Sequence, residues 1–400
     1  MFKTNTFSRI LIFLYLVIPY LPLFGEIDRI ASQWFFISVL NFISMGFIFY
    51  STQDTFIESL KEKHHLAYLI FLICAIISAF FAFNYTESLV EIFRYSSVYL
   101  GIILFYHHVK RTESNLNYLM IIIFIFMIIE ASGLIFQTFN GLPTIGFTGN
   151  KNIASASLMF KISFGYYMLY KFNNVFAQFM IYCVLTICYL QVFIVGSKAG
   201  ILSVIITTML FISYSFVNIK KNYITLFGVF SALTASVINF ILNNNIGNAV
   251  YSTINYTIEA GNTDRLRYYG QAISAFLENP FFGIGVGNWK IYSVLVDAPF
   301  MKNYIVQYHA HNDYLQLLAE VGLVGALFYL AFVLGIFYKS LKYITNGKNQ
   351  KLFILSICCL SAITVYLIDS NLNFPAARII MQLNLMVAFT VSSILFKGLK

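Results

Sequence analysis

A histidine at the start of a long apolar segment is the residue best suited to chemistry in this 400-residue chain. His311-Asn312 is followed by nine residues and then by Gly322-x-x-Gly325-Ala326. Neutral histidine can accept a proton at physiological pH. A titratable group held beside a closely packed apolar helix is unusual without a chemical use for it. The segment therefore predicts a general base.

Positively charged side chains are the second group of candidates. Arginine and lysine bind the oxygens of a diphosphate and stabilise charge that develops on a leaving group. The predicted membrane topology places several of them on the same face as His311. Together with His311, the candidate residues on this face are His309, Arg265, Arg267, Lys151, Lys198 and Arg378. One base with several fixed cations suits transfer of a group activated by a diphosphate. The same set also suits anion binding without chemistry.

The elements that position these residues are membrane helices. The chain is 59% hydrophobic and 10% charged, which excludes an ordinary soluble domain. Apolar blocks, most of them about 18 to 24 residues long and so able to span a bilayer, occur near residues 7–24, 30–50, 66–83, 93–106, 118–139, 153–170, 175–195, 200–218, 223–242, 315–338, 351–368 and 378–396. Lipid requires the backbone to satisfy its own hydrogen bonds, and these blocks predict helices. We expect an all-α polytopic membrane protein, a single domain over residues 1–400 with about twelve transmembrane helices.

The charge distribution predicts the orientation. With the N-terminus in the cytoplasm, 15 of the 25 Lys and Arg residues fall on inner segments, as the positive-inside rule expects. The net charge of +9 is then mainly topological and gives no reason to expect nucleic acid. Both termini are predicted to be cytoplasmic, and residues 243–313 form one long outer, periplasmic loop. Within it we expect a helix that Thr263 or Asp264 caps and Asn279-Pro280 ends, then a flexible glycine turn with Trp289 at the membrane interface.

Four motifs together resemble the O-antigen ligase and O-antigen polymerase superfamily, which also covers protein O-oligosaccharyltransferases. The histidine motif is similar to the family signature. The run DRLRYYGQAISAFLENPFFGIGVGNW resembles the family's Arg-x-x-x-aromatic helix and its Pro-x-x-Gly-x-Gly turn. The turn GSKAG resembles a motif that usually reads Ser/Thr-Arg-x-Gly, and GNKNIASA resembles an Asn-rich motif. The resemblance covers residues 140–380.

The resemblance implies an inverting glycosyltransferase of the bacterial inner membrane that needs no metal or other cofactor and acts on the periplasmic face. The donor would be a glycan on undecaprenyl diphosphate, and the acceptor of a ligase would be lipid A–core. His311 matches the histidine that activates the acceptor hydroxyl, and Arg265 matches the arginine that contacts the diphosphate. Lys198 stands where an arginine is usual, which keeps the charge but loses the bidentate fork.

The remaining candidates have assigned roles and plainer alternatives. Arg267 and Arg378 are predicted as further diphosphate contacts, and the residues with predicted supporting roles are His309, Asn312, Glu320 and Lys151. Arg267 lies about 200° from Arg265 around a helix, so its side chain could contact lipid headgroups instead of the diphosphate. Glu320 could instead bond a neighbouring helix end.

Three groups of residues are expected to be structural. Lys161 could pair with Glu130 inside the membrane. The two glycines of the histidine motif are expected to allow close helix packing. The histidines on inner loops, expected to be solvated or to face headgroups, are His64, His65, His107 and His108.

Three other functions remain open on the sequence. A polymerase would use the same donor with a second lipid-linked glycan as acceptor. A protein O-oligosaccharyltransferase would glycosylate Ser or Thr, although such enzymes often carry additional C-terminal soluble sequence. An anion transporter of the bicarbonate type would also use outer cations, but we would expect matching polar positions in two repeats, and the sequence has no such repeat.

Overall fold

A computed structural model describes residues 2–21, 29–51, 53–217, 222–242, 262–300, 307–347 and 349–398. In these ranges the chain is helical, which confirms the all-α class. The α-helices are α1 (Phe2–Val17), α2 (Arg29–Ser51), α3 (Gln53–Leu60), α4 (His65–Ser78), α5 (Tyr85–Lys110), α6 (Glu113–Phe139), α7 (Lys151–Lys171), α8 (Val175–Val195), α9 (Lys198–Val217), α10 (Asn222–Leu242), α11 (Asn262–Glu278), α12 (Trp289–Asp297), α13 (Asp313–Asn346), α14 (Gln350–Leu372) and α15 (Ile379–Lys397).

Each of the twelve predicted apolar blocks overlaps a helix of the described ranges. Among the described helices, those long and apolar enough to cross a membrane lie at Ile30–Tyr50, Tyr85–Lys110, Glu113–Phe139, Val175–Val195, Asp313–Asn346, Gln350–Leu372 and Ile379–Lys397. Shorter apolar helices lie at His65–Phe81, Lys198–Ser213 and Leu226–Leu242. The chain is thus a polytopic helical membrane protein by length and composition, while the count of twelve spans stays a prediction. The segment predicted as the long outer loop contains α11 and α12, and its residues 243–261 and 301–306 lie outside the described ranges.

The centre of the bundle is formed by α7, α14 and α15, whose side chains are buried on nearly every side. A helix with no exposed face belongs in the interior of a bundle. Within it, Lys161 Nζ lies 2.9 Å from Glu130 Oε1 and also donates to Ser157 and Asn384. The expected pairing of Lys161 with Glu130 is confirmed, and it leaves neither charge uncompensated in the interior.

The surroundings of three histidines that were predicted on inner loops differ from expectation. His65, His107 and His108 are buried, and His108 contacts the hydroxyls of Ser44 and Ser8. The prediction that these three are solvated or face headgroups is wrong. Helical neighbours supply the hydroxyl partners that a buried imidazole needs, and the sequence of one loop does not reveal them.

Helix α13 is interrupted at Gly322, which has φ 70° and ψ −177°. Only glycine adopts this conformation readily. The break frees backbone groups, and a neighbouring loop bonds them: Leu323 N donates to Pro280 O at 2.9 Å, and Ile284 N donates to Ala319 O at 2.9 Å. Gly322 therefore provides a docking position for a loop, whereas Gly325 packs closely against Cys74 as expected.

The docked loop carries the glycines at 283, 285 and 287, all with positive φ. Gly285 N donates to Glu320 O at 3.1 Å, and a Cβ on Gly285 would come within 2.5 Å of Ala82. Trp289 follows and is completely buried. The expectation of a flexible turn with an interfacial tryptophan is wrong, because this loop is packed between α13 and the segment that leads into α5. Helix α11 begins at Asn262, and nothing is described of the side chains proposed to cap it.

Gly322→Ala is expected to destabilise the protein by about 1–3 kcal/mol through the strained backbone conformation alone. The added Cβ would also lie 2.3 Å from Phe281 O. The measurement is the thermal midpoint of the purified protein in detergent. Gly46→Ala is the matched control, because a Cβ there meets nothing within 4 Å and alanine favours a helix interior. Equal midpoints for the two variants would contradict the docking role of Gly322.

Candidate functional site

A cavity of about 640 Å³ lies at the end of the bundle where α5, α7, α13 and α15 begin. Its volume is in the range of small-molecule sites. Its charged and titratable lining side chains are Glu91, Arg94, Lys290, His309, His311, Asp313, Glu320 and Arg378. The structure thus brings four of the predicted site residues, His309, His311, Glu320 and Arg378, into one wall.

His311 has the unusual backbone that a functional residue can have. Its φ is 59°, and among the described residues it is the only non-glycine residue with a positive φ. Its carbonyl oxygen accepts a hydrogen bond from the hydroxyl of Tyr269 at 3.2 Å. On its C-terminal side, Asn312 caps α13 by accepting from Tyr314 N and Leu315 N. Tertiary contacts and the cap therefore hold His311 in a conformation that costs free energy.

Both predicted histidines contact the ring of Phe374. His309 stacks on it with ring centroids 4.2 Å apart, and His311 meets it edge-on at 5.3 Å. The guanidinium of Arg378 lies 5.1 Å from the centroid of the same ring. Phe374 thereby fixes the relative positions of three site residues. Sequence reasoning missed it, although an aromatic residue beside a proline in a polar loop was an available signal.

The electrostatics of His311 favour its neutral form. Burial and, to a smaller extent, the positive charge of Arg265 together lower its pKa from 6.5 to about 4. Within the described part of the chain, Nδ1 of His311 makes no hydrogen bond. That nitrogen is buried, but a neutral imidazole that lines a cavity can accept a proton from a bound hydroxyl at its other ring nitrogen.

A group of cations that we call the Arg378 cluster surrounds His309 and consists of Arg94, Lys290 and Arg378. Burial, and after it the charges of Arg378, His311, Lys290 and Arg94, together lower the pKa of His309 to about 3. Arg94 pairs with Glu91, and Lys290 pairs with Glu87. Sequence reasoning missed Arg94 and Lys290 as residues of the site.

A second group, the Lys198 cluster, consists of Lys151, Lys198 and Arg265, which lie in the first turns of α7, α9 and α11. Arg265 and Lys151 both lie within electrostatic reach of Lys198. The turn before Lys198 is fixed because Gly196 ends α8 in the left-handed conformation. The three predicted residues are brought together, and they do not belong to the lining of the cavity. Arg265 also acts on His311, so His311 lines the cavity and lies within electrostatic reach of the Lys198 cluster.

Arg267 lies on another face of α11. Its guanidinium is 3.5 Å from a carboxylate oxygen of Asp297 and stands over the ring of Tyr268. Residues two positions apart in a helix point about 200° away from each other, so the side chains of Arg267 and Arg265 lie on different faces of α11. The predicted contact of Arg267 with a diphosphate stays a prediction.

Two carboxylates in the cavity wall connect separate elements. Glu320 Oε1 accepts from Trp289 N at 3.0 Å, at the first residue of α12, which confirms the predicted bond to a neighbouring helix end. Asp313 accepts from Ala376 N at 2.9 Å. These two bonds fix α12 and the residues after Phe374 against the start of α13, and therefore fix the shape of the cavity.

Comparison with known proteins finds similarity over part of the chain. Residues 181–330 match the family model described as O-Antigen ligase. Over 99 residues the chain is 29% identical to a protein of Rickettsia conorii whose name describes it as a polysaccharide ligase; the alignment covers 24% of this chain and 23% of that protein. The chain therefore spans about a quarter of the length of that relative. The region matched by the family model contains Lys198, Arg265 and His311.

Proposed function

Because residues 181–330 carry the O-antigen ligase family match, we propose that this chain is an inverting glycosyltransferase. It moves a glycan from undecaprenyl diphosphate to lipid A–core on the periplasmic face of the bacterial inner membrane. The observation that supports this proposal best is the position of His311. This proton acceptor lines a cavity, lies beside Arg265 and falls within the matched region.

The proposed reaction is a single displacement. The acceptor hydroxyl gives its proton to His311 while its oxygen forms a bond to the anomeric carbon of the donor glycan. The bond from that carbon to the diphosphate oxygen breaks, and undecaprenyl diphosphate leaves. Arg265 and Lys198 bind the diphosphate and stabilise its developing charge. The diphosphate already activates the glycan, so the proposal needs no metal or nucleotide.

Deletion of the gene tests the proposal and separates its closest rival. A ligase is expected to leave uncapped core and accumulated polymer in the lipopolysaccharide analysis. Core that carries a single repeat would instead identify a polymerase. Unchanged lipopolysaccharide would contradict both functions, and anion flux in liposomes containing the purified protein would then test the transporter alternative.

The pH dependence of kcat/KM provides a further prediction. The neutral form of His311 is the active one, and its pKa is lowered to about 4. Activity is therefore expected to persist from neutral pH downward and to be lost only as the pH falls through about 4. Arg265→Gln removes a positive charge that disfavours the imidazolium, so the acidic limb of the normalised profile is expected to move to higher pH.

The profile is measured by transfer assays from about pH 3 to pH 8, with recovery of activity at neutral pH checked after each exposure. Lys63→Gln is the control, since Lys63 is exposed and lies before α4, away from the cavity. Its profile is expected to coincide with that of the unaltered protein. An acidic limb that stays in place in Arg265→Gln would argue against electrostatic coupling between Arg265 and His311.

A further inference from the structure

We propose that the 640 Å³ cavity is the acceptor site and that the Arg378 cluster binds a phosphate group on the acceptor. This inference rests on the proposed transfer reaction and adds the chemical class of its second substrate. It also reassigns Arg378 from the donor diphosphate to the acceptor.

The first support is the separation of the two cation clusters. Lys151, Lys198 and Arg265 act on one another or on His311, but they do not line the cavity. In an inverting displacement the attacking and leaving oxygens lie on opposite faces of the anomeric carbon. Sites for the acceptor and for the diphosphate must therefore be separate, as these two clusters are.

The second support is the position of the base. A general base must lie within hydrogen-bond reach of the hydroxyl that it deprotonates. His311 lines the cavity, so a hydroxyl bound there can reach its imidazole. A donor diphosphate in the same cavity would instead place the leaving group against the base. The cavity thus fits the acceptor better than the donor.

The third support is the charge of the wall. Arg94, Lys290 and Arg378 all line the cavity, and together they act on His309. Arg94 and Lys290 have carboxylate partners, but each retains further N–H donors, because a guanidinium has five and an ammonium has three. A phosphate has several acceptor oxygens and suits this convergence of donors. A neutral sugar would not need it.

The test compares two acceptors in a transfer assay with the full chain in nanodiscs. One is lipid A–core with its phosphates, and the other is the same material after phosphatase treatment. Arg378→Gln and Lys290→Gln are each expected to raise the KM for the phosphorylated acceptor about 10- to 100-fold, the loss typical of a charge-assisted contact. Both variants are expected to lose most of the preference for the phosphorylated over the dephosphorylated acceptor, and their KM for the donor is expected to change less than their KM for the phosphorylated acceptor. Lys63→Gln controls for the loss of one exposed positive charge.

Two results would overturn the inference. The first is equal use of both acceptors by the unaltered protein, and the second is an effect of Arg378→Gln on the donor KM alone. A variant that fails to fold would lose activity with both acceptors, and Lys290→Gln then decides.

A binding measurement separates failure of this inference from failure of the proposed function. His311→Ala in nanodiscs is expected to bind the phosphorylated acceptor about 10-fold or more tightly than the dephosphorylated one. Selective binding without any transfer by the unaltered protein would refute the transferase function and retain the phosphate site. Transfer without selectivity would refute the phosphate site and retain the transferase.

Discussion

His311→Ala is expected to lower the rate of glycan transfer by about 10²- to 10⁴-fold, the usual contribution of a general base. The imidazole lines the cavity and is held neutral by burial and by Arg265. Alanine removes the proton acceptor and leaves both cation clusters in place. The rate is measured with purified protein, lipid-linked glycan and lipid A–core.

His311→Asn separates the chemical role from the backbone role. Asparagine adopts positive φ more readily than most residues, so this variant can keep the loop conformation at φ 59° without providing a base. Both variants are expected to show the same large decrease in rate, and the thermal midpoint of His311→Asn is expected to stay near that of the unaltered protein. Near-normal activity in His311→Asn would show that the backbone conformation, and not proton transfer, is what position 311 supplies.

His309→Ala is the second comparison. His309 stacks on Phe374 on the side of the Arg378 cluster, so its loss should disturb the position of Phe374 and through it His311. We expect a smaller decrease in rate than for His311→Ala, because the proton acceptor remains. A larger decrease would exchange the roles of the two histidines.

The parts of the fold that could be predicted depend on local pattern. Apolar blocks of membrane length predict helices because lipid leaves no other partner for the backbone, and each block overlaps a helix of the described ranges. The pairing of Lys161 with Glu130 could be anticipated because a buried charge needs a partner. The grouping of His311 with Arg265 and Lys198 came from motifs that lie far apart in the chain, from the GSKAG turn to the histidine motif.

The parts that could not be predicted depend on contacts between distant segments. Gly322 breaks α13, and the glycine loop before Trp289 docks onto that break. Neither segment shows its role alone, because each provides the hydrogen-bond partners that the other needs. The burial of Trp289 follows from this docking. Phe374 and Arg94 join the site in the same way, through the packing of α5, α13 and the residues before α15.

Arg265→Lys is expected to lower kcat/KM for transfer about 10- to 100-fold, because lysine keeps the charge but loses the planar fork that holds two phosphate oxygens at once. Lys198→Arg changes the Lys198 cluster in the opposite direction. It adds a fork at the start of α9 and is expected to retain or increase activity. Together the two substitutions exchange lysine and arginine at two positions without changing the net charge of the protein.

The double variant is the informative one. If both side chains bind the same diphosphate, Lys198→Arg should recover part of the activity that Arg265→Lys loses, and the two effects should not be additive. Arg267→Lys, on the same helix but paired with Asp297, is expected to have a smaller effect than Arg265→Lys. The readout is the donor KM at a fixed acceptor concentration. If Arg265→Lys left that KM unchanged, Arg265 would belong with the lipid headgroups, and the diphosphate would have to bind elsewhere.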